Sequence, residues 1–260
     1  MFRRKEQVEI KTPAQIELMR KAGLVVGKTL QELAAAVRPG ITTAELDAIA
    51  AASIAGHGAT PSFLGYNGFP AVICTSINNE VVHGIPGPAV LEEGDLISID
   101  CGAIVDGWHG DAAITVPVGK VREEAAALSA ATEAGMWAGL GAARVAAHLS
   151  DIGHAVETSI RQAGPYGIVE EYVGHGIGTS MHMAPPVPNH GRPGAGPKLV
   201  AGMALAIEPM ATLGTAEVGV LDDGWTVVTI DGRWASHWEH TVAITDEGPW
   251  VLTAVDEVML

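Results

Sequence analysis

Residues 96–116, LISIDCGAIVDGWHGDAAITV, consist of two runs of β-forming residues on either side of an Asp-Gly dipeptide. Asp106-Gly107 favours a two-residue turn, so the stretch predicts a β-hairpin in which Val105 and Trp108 form the closing pair. The register of the whole hairpin follows from that turn, because each step away from it adds one residue to both strands.

Two aspartates share one face of this predicted hairpin. Gly102 pairs with Asp111, and Asp100 lies two residues along from that pair. Diagonal neighbours have Cβ atoms roughly 7 Å apart, so both carboxylates can converge on one cation, for which Gly102 is expected to leave space. Buried carboxylates this close repel each other unless a positive group joins them. The alternative is that both aspartates are solvated residues flanking the turn.

Four helices are predicted around this hairpin from capping residues and apolar stripes of helical period. They begin at capping boxes at Thr12 and Thr42, at Arg122 and at a cap at Ser150, and they end by Pro39, Gly56, Trp137 and Gly164. Further strand-like runs are residues 71–77, 80–85, 203–213 and 234–244, with a second Asp-Gly hairpin at Asp231-Gly232. The Gly- and Pro-rich stretch 171–194 is expected to form strand ends and loops.

The chain also repeats itself weakly. Gly94 and Ile99-Asp100 recur with the same spacing as Gly202 and Ile207-Glu208, and two other pairs of short matches lie at similar offsets. This repeat predicts a single domain over residues 1–260 whose related halves cover approximately 12–118 and 121–255, with one carboxylate ending a strand in each half.

Composition excludes several classes of protein. The net charge is −15, although residues 1–40 hold eight of the fifteen basic residues against four acids. This balance argues against stable nucleic-acid binding, while the basic N-terminal region could touch RNA or be a solvated helix surface. Cys74 and Cys101 lie in strand-like runs and are expected to be reduced thiols. Without an apolar leader or a membrane-spanning run, the protein is expected to be cytoplasmic.

Five residues in β-like contexts form an inventory of ligands for divalent metals. They are four carboxylates and one imidazole: Asp100, Asp111, His175, Glu208 and Glu239. One octahedral ion would not need four carboxylates, whereas two ions roughly 3.5 to 4 Å apart would use them as bridging and terminal ligands. The charge of two such ions would also offset the four negative charges. The sequence therefore predicts a dinuclear metal site.

Several motifs occur together in one order: NNEVVHGIP, SIDCGAIVDGWHGDAAI, GHGIGTSMH, AIEPM, DDGWTVVT and WEHT. In this respect the chain resembles the type I methionine aminopeptidases from about residue 10 to residue 255. The resemblance implies an α/β (α+β) pita-bread fold, with two pseudo-twofold-related halves around a central antiparallel sheet and helices on its outer face. It also implies a hydrolase that removes the initiator methionine from nascent proteins and peptides, preferentially before a small second residue, through a hydroxide bridging two metals.

The resemblance also implies a role for each candidate residue. Asp111 and Glu239 would bridge two divalent ions, which could be Co, Mn, Fe, Zn or Ni, while Asp100 would complete one ion and His175 with Glu208 the other. Glu208 would also move a proton, and His83 and His182 would contact the peptide as catalytic and substrate-binding residues. The methionine pocket would be formed by Phe63, Tyr66, Phe69, Cys74, Met181 and Trp225, for each of which ordinary core packing is the alternative.

These patterns allow other interpretations. Xaa-Pro dipeptidases share the fold and the metal set but normally carry an additional N-terminal domain, and non-catalytic relatives have lost their metals. Gly23 to Thr29 resembles a phosphate loop but lies inside a helical stripe, and the run from His237 to His240 is not HExxH. The partners implied are N-terminal methionyl peptides and nascent chains met by a monomer, with transient ribosome contact possible through the basic N-terminal region. Six further histidines are expected to be structural or surface residues: His57, His109, His148, His154, His190 and His240.

Overall fold

The structure is a computed structural model that describes residues 8–260. Residues 1–7, the first part of the basic N-terminal region that could touch RNA or form a solvated helix surface, lie outside the described residues. The described range contains four α-helices: α1 (Pro13–Ala36), α2 (Thr43–Gly56), α3 (Glu123–Ala142) and α4 (Leu149–Ala163). None of them combines the length and the apolar character needed to cross a membrane.

The predicted capping boxes start the first two helices. The hydroxyl of Thr12 accepts the backbone N–H of Gln15, whose side chain accepts the N–H of Thr12 in return at 2.8 Å. Thr42 and Glu45 make the same exchange at the start of α2. Because each box satisfies two of the N–H groups that a helix start leaves free, these two starts are set by local sequence alone.

The start predicted for α4 is wrong by two residues. The helix begins after His148, whose N–H donates to the carboxylate of Asp151 at 2.7 Å. Ser150 lies inside the helix, and its hydroxyl accepts the N–H of Ala195 in a distant loop. Ser150 was a favourable cap by residue type, but an acid at the third helical position combined with a long-range contact places the start earlier.

Sixteen strands are described. In the first half of the chain they are β1 (Thr60–Pro61), β2 (Ile73–Ile77), β3 (Glu80–Val82), β4 (Leu96–Val105) and β5 (Trp108–Pro117), with a 3-10 turn at Tyr66–Gly68. In the second half they are β6 (Gly167–Ile168), β7 (Gly174–Gly176), β8 (Met183–Val187), β9 (Ala204–Ile207), β10 (Met210–Thr212), β11 (Val218–Val220), β12 (Val227–Thr229), β13 (Ala235–His237), β14 (Glu239–Thr245), β15 (Gly248–Val251) and β16 (Val258–Met259).

The β4–β5 hairpin has the predicted register throughout, from the Val105–Trp108 pair at the turn to Leu96 opposite Pro117. It lies within a ten-stranded antiparallel sheet whose main path is β1-β4-β5-β14-β9-β7-β8. Pairing of β5 with β14 joins strands from the first and second halves of the chain. The observed mixture of helices and a central antiparallel sheet agrees with the predicted fold class.

The second predicted hairpin is wrong. Asp231-Gly232 does form a turn, with Gly232 at φ 71° and the Asp231 carboxylate accepting two backbone N–H groups. The strands on either side of it, β12 and β13, do not pair in residues 8–260. Instead β13 pairs with β10, and β12 forms a hairpin with β11 around Asp222 to Gly224. The local turn signal was correct, but long-range pairing decides which strands it joins.

Each pair of helices covers its own hydrophobic core against the sheet. Leu30 of α1, Leu46 of α2 and Ile97 of β4 belong to the first core. Ile152 of α4 and Leu205 of β9 belong to the second, together with residues of α3. Both cores keep the sheet rigid behind the surface on which the candidate ligands lie, since close-packed interiors deform little.

Candidate active site

All thirteen residues predicted for the site line one cavity of about 380 Å³. They are His83, Asp100, Asp111, His175, His182, Glu208, Glu239, Phe63, Tyr66, Phe69, Cys74, Met181 and Trp225, and Asn67 lines the cavity with them. Polar and ionisable groups therefore share one space with an aromatic wall.

Five neighbouring strands supply the five predicted metal ligands. Asp100 lies on β4, Asp111 on β5, Glu239 on β14 and His175 on β7, while Glu208 directly follows β9. The sheet order β4-β5-β14-β9-β7 brings these strands side by side, although their ligands lie far apart in the sequence. Glu239 and Asp100 both align with Ala113 of β5, on opposite sides of that strand.

The space expected beside Gly102 is not a cation site. A Cβ atom on Gly102 would lie 2.8 Å from the ring of Phe63 and 3.2 Å from the terminal methyl group of Met181. Ser62 also occupies this space. Position 102 must therefore be glycine because Phe63, Ser62 and Met181 pack where a side chain would lie. The expectation that Gly102 makes room for a metal is wrong.

The side chains of Asp111, His175 and Glu239 are arranged to share an ion, since one ligand atom of each lies within 4.8 Å of the other two. Nδ1 of His175 lies 2.9 Å from the carbonyl oxygen of Gly176 and donates to it. Nε2 is then the free acceptor, 3.5 Å from Oε1 of Glu208 and 3.8 Å from Oδ2 of Asp111. This backbone contact is the one that ordinarily orients a metal-binding histidine.

Three carboxylate oxygens at the centre have no hydrogen-bond partner within the described part of the chain: Oδ1 of Asp100, Oδ1 of Asp111 and Oε1 of Glu239. Buried polar atoms are almost always paired, so unpaired oxygens in one cluster indicate a missing positive partner. Burial raises the pKa of Asp100 to about 7. Burial, followed by repulsion from neighbouring carboxylates, raises the pKa of Asp111, Glu208 and Glu239 well above the usual range. These residues fit divalent cations.

The raised pKa values predict how the metal-free protein responds to pH. A carboxyl group whose folded-state pKa is raised adds stability below its unfolded pKa, and this contribution is lost as the pH rises through the folded-state value. For Asp100 that window runs from about 4 to about 7. We therefore expect the melting temperature of metal-free protein to fall as the pH rises from about 4 to about 7, and added metal to restore most of the loss.

Asp111→Asn is the control for this prediction, because it removes one of the crowded charges without changing the shape of the side chain. Its metal-free melting temperature should fall less over the same pH range. Calorimetry measures both melting temperatures as a function of pH. If they fall equally in metal-free wild type and metal-free Asp111→Asn, repulsion at this site is not the cause.

Two histidines flank the cluster. Nδ1 of His182 lies 2.9 Å from the hydroxyl of Tyr66, and the rings of His182 and His175 have centroids 4.3 Å apart. His83 has a left-handed backbone conformation with φ 61°, and its ring packs edge-on against Tyr172. Burial lowers the pKa of both histidines, to about 4 for His83, so both are neutral at pH 7.

Aromatic rings form the opposite wall of the cavity. Phe69 meets Trp225 edge to face with centroids 5.1 Å apart, and Phe63 meets Phe69 in the same manner at 6.5 Å. Met181 and Cys74 pack into the same apolar cluster. This wall of the cavity is therefore rigid, since each ring contacts at least one other.

Sequence reasoning missed four residues near the site. Tyr172 packs on His83, Asn67 lines the cavity, and the side-chain amide of Asn189 donates to the carbonyl oxygen of Glu208 at 3.1 Å. The fourth is His237, a fully buried imidazole whose pKa burial lowers to about 3. The spacing of His237 and Glu239 was an available signal, because residues two apart on a strand point to one face.

The six histidines expected to be structural or surface residues do not line the cavity formed by residues 8–260. Four of them have a hydrogen-bond partner at Nδ1. His57 and His154 donate to the carbonyl oxygens of Ser53 and Gly191. His109 lies 3.0 Å from the hydroxyl of Ser62, and His240 lies 2.7 Å from the hydroxyl of Thr253.

Comparison with known proteins agrees with this arrangement. The model of metallopeptidase family M24 matches residues 17–246. The sheet, the helices and the acid-lined cavity are thus those of an M24 metallopeptidase. Methionine aminopeptidase 1 of Mycobacterium tuberculosis (strain CDC 1551 / Oshkosh) is 54% identical over 258 residues, covering 97% of each chain. The crystal structure of methionine aminopeptidase from Rickettsia prowazekii is 38% identical, with a TM-score of 0.93 over 95% of this chain and 100% of that chain.

The chain therefore belongs to the type I methionine aminopeptidases of family M24, which confirms the resemblance found in the motifs and the pita-bread fold that it implied. Prolidase from Pyrococcus furiosus has a TM-score of 0.76 at 23% identity, covering 94% of this chain and 65% of that chain. This second likeness shows the fold alone.

Proposed function

We propose that the protein removes the N-terminal methionine from peptides and nascent proteins by metal-dependent hydrolysis, preferentially when the second residue is small. The observation that carries the proposal is one cavity in which a buried cluster of four carboxylates and an imidazole lies beside an aromatic, sulfur-containing wall. The first group suits divalent cations, and the second suits an unbranched thioether side chain.

We assign the ligands of two divalent ions to the clustered residues. Asp111 and Glu239 would be ligands of both ions, Asp100 would be a ligand of one, and His175 with Glu208 would be ligands of the other. Four carboxylates with one imidazole accept Co(II), Mn(II), Fe(II), Zn(II) or Ni(II), because such a ligand set imposes little preference for one coordination geometry. When bound, the ions supply Lewis acidity, which polarises a carbonyl and lowers the pKa of water.

The protein residues then hold and move protons. Glu208 is 14% exposed at its side chain and faces Nε2 of His175, so it can pass a proton between water and the leaving amine. The Tyr66 hydroxyl can donate to Nδ1 of His182, which leaves the N–H of that neutral ring on Nε2. His182 and His83 are thereby placed to donate to the developing oxyanion and to contact the scissile amide.

We further propose that residues 1–260 act as one catalytic domain whose halves, approximately 12–118 and 121–255, each contribute ligands. Support comes from the continuous sheet that joins β5 to β14. The protein would work as a cytoplasmic monomer and meet nascent chains through transient ribosome contact by its basic N-terminal region.

Release of methionine from Met-Ala-Ser tests the proposed function. The protein is chelated, and each divalent metal is then added back singly. We expect chelation to abolish release and at least one metal to restore it, with Met-Lys-Ser cleaved far more slowly and an N-acetylated peptide left intact.

Two outcomes would contradict the proposal. One is full activity in protein verified to be metal-free, and the other is equal cleavage of Met-Ala-Ser and its N-acetylated form. Hydrolysis of Xaa-Pro peptides without release of methionine would instead indicate the activity of the Xaa-Pro dipeptidases, which share this fold.

A further inference from the structure

His237 is a buried imidazole to which the proposed reaction gives no role. Its exposed fraction is 1%, and neither ring nitrogen has a hydrogen-bond partner among residues 8–260. A neutral imidazole carries one N–H donor and one acceptor, and buried groups of this kind are normally paired. A ring left unpaired beside a carboxylate cluster is therefore expected to find its partner when metal ions are bound there.

The backbone of His237 is held firmly. Its N–H donates to the hydroxyls of Ser98, at 3.2 Å, and Thr115, at 3.1 Å, while its carbonyl oxygen accepts from the hydroxyl of Thr115 at 2.7 Å. Ser98 and Thr115 are paired residues of β4 and β5 and lie 2.9 Å apart at their hydroxyl oxygens. These contacts tie β13 to the hairpin that carries two of the proposed ligands, and they fix the point from which the imidazole extends.

The ring faces Glu239. Nε2 of His237 lies 3.9 Å from Oε2 of Glu239, and both side chains are 2% exposed. Oε1 of Glu239 is buried and unpaired among the described residues. The separation is longer than a hydrogen bond by about 1 Å, a gap that a small rotation of the glutamate side chain can close. Hydrogen bonds of this kind often tighten only when the site is filled.

We propose that His237 is a positioning residue: in the metal-loaded protein its Nε2–H donates to the carboxylate of Glu239 and fixes that bridging ligand in the orientation that holds both ions. The inference rests on the proposed function, because it takes Glu239 to be a metal ligand. His237 is not itself assigned as a ligand, since the group of ligand atoms within 4.8 Å among the described residues consists of Asp111, His175 and Glu239. Carboxylates that bind metals are commonly held by such donors.

Zn²⁺ binding to chelated protein, measured by calorimetry, tests the inference without using activity. His237→Leu removes the donor at similar volume, and it should weaken binding of at least one ion by about 10- to 100-fold. His237→Gln keeps an N–H donor and should bind within about threefold of wild type, because the hydrogen bond is retained. His240→Leu is the matched control. It removes the half-buried imidazole that follows Glu239 in the sequence and hydrogen-bonds to Thr253, and it should leave the affinity for Zn²⁺ unchanged.

The tautomer of His237 gives a second measurement that does not depend on a folded non-donor variant. The His237 signal in the NMR spectrum of ¹⁵N-histidine-labelled protein is identified by its absence from the spectrum of His237→Gln. In wild type loaded with Zn²⁺, this signal should report a proton on Nε2. A proton on Nδ1 alone, or a metal-coordinated Nε2, would overturn the proposal, as would unchanged affinity in His237→Leu. Failure of the wild type to bind any of the five divalent ions named above would instead refute the proposed function.

Discussion

Replacing Glu208 by Gln should lower the turnover of Met-Ala-Ser by at least about a hundredfold, the usual contribution of a positioned acid or base. The amide has the shape of the carboxylate but neither takes up a proton nor supplies a negative ligand. Glu208 follows β9, and its Oε1 lies 3.5 Å from Nε2 of His175. Loss of its charge therefore affects both proton transfer and the ion that His175 is proposed to hold. The measurement is kcat at saturating metal and peptide.

The fold of Glu208→Gln should survive, because removing one of several crowded negative charges lowers repulsion in the metal-free protein. Circular dichroism and the melting temperature check this point. Glu170→Gln provides a matched control, since Glu170 has a side chain that is 65% exposed and should keep full activity. Turnover of Glu208→Gln within about tenfold of wild type would refute the role assigned to Glu208.

Methionine should be preferred over leucine by about 10- to 200-fold in kcat/KM, the range that an apolar pocket can provide. The edge-to-face pair Phe69 and Trp225 forms one wall of the pocket, and Cys74 and Met181 pack in the same apolar cluster. An unbranched thioether can pass between such rings and make favourable sulfur contacts, whereas leucine branches one carbon too early. Met-Ala-Ser and Leu-Ala-Ser are the peptides to compare.

Norleucine separates shape from sulfur chemistry in this comparison. Nle-Ala-Ser is unbranched but lacks sulfur, so its kcat/KM should lie closer to that of the methionine peptide than to that of the leucine peptide. Trp225→Leu opens one side of the wall and should reduce the preference for methionine over leucine. Equal rates for methionine and leucine peptides in wild type would show that the aromatic wall does not select the side chain.

The β4–β5 register and the first two helix starts could be predicted because their causes lie within a few residues of sequence. An Asp-Gly turn sets its own hairpin, and each capping box satisfies its own backbone groups. The Asp231-Gly232 turn could be predicted from the sequence in the same way, but β13, the strand that follows it, pairs with β10. Local chemistry therefore located the turns, and competition between strands decided the pairing.

The candidate site was predictable as a set of residues but not as a geometry. Residue types and spacing identified every ligand candidate. They did not predict that Phe63 and Met181, which lie in loops distant in sequence, fill the space beside Gly102. The role proposed for His237 could not be predicted from its spacing alone. Its significance depends on burial and on the absence of other partners within residues 8–260, and both are properties of the packed molecule.

The junction between β5 and β14 has a consequence for how the protein folds. It pairs Glu239 with Ala113 and His240 with Ala112, and the hydroxyl of Thr241 both donates to the carbonyl oxygen and accepts the N–H of Asp111. Contacts so distant in sequence form slowly, because a long loop must close before they add stability. The hairpin can form early, but the five proposed ligands come together only when β5 and β14 pair. We therefore expect metal ions to bind late in folding, after β5 and β14 have paired.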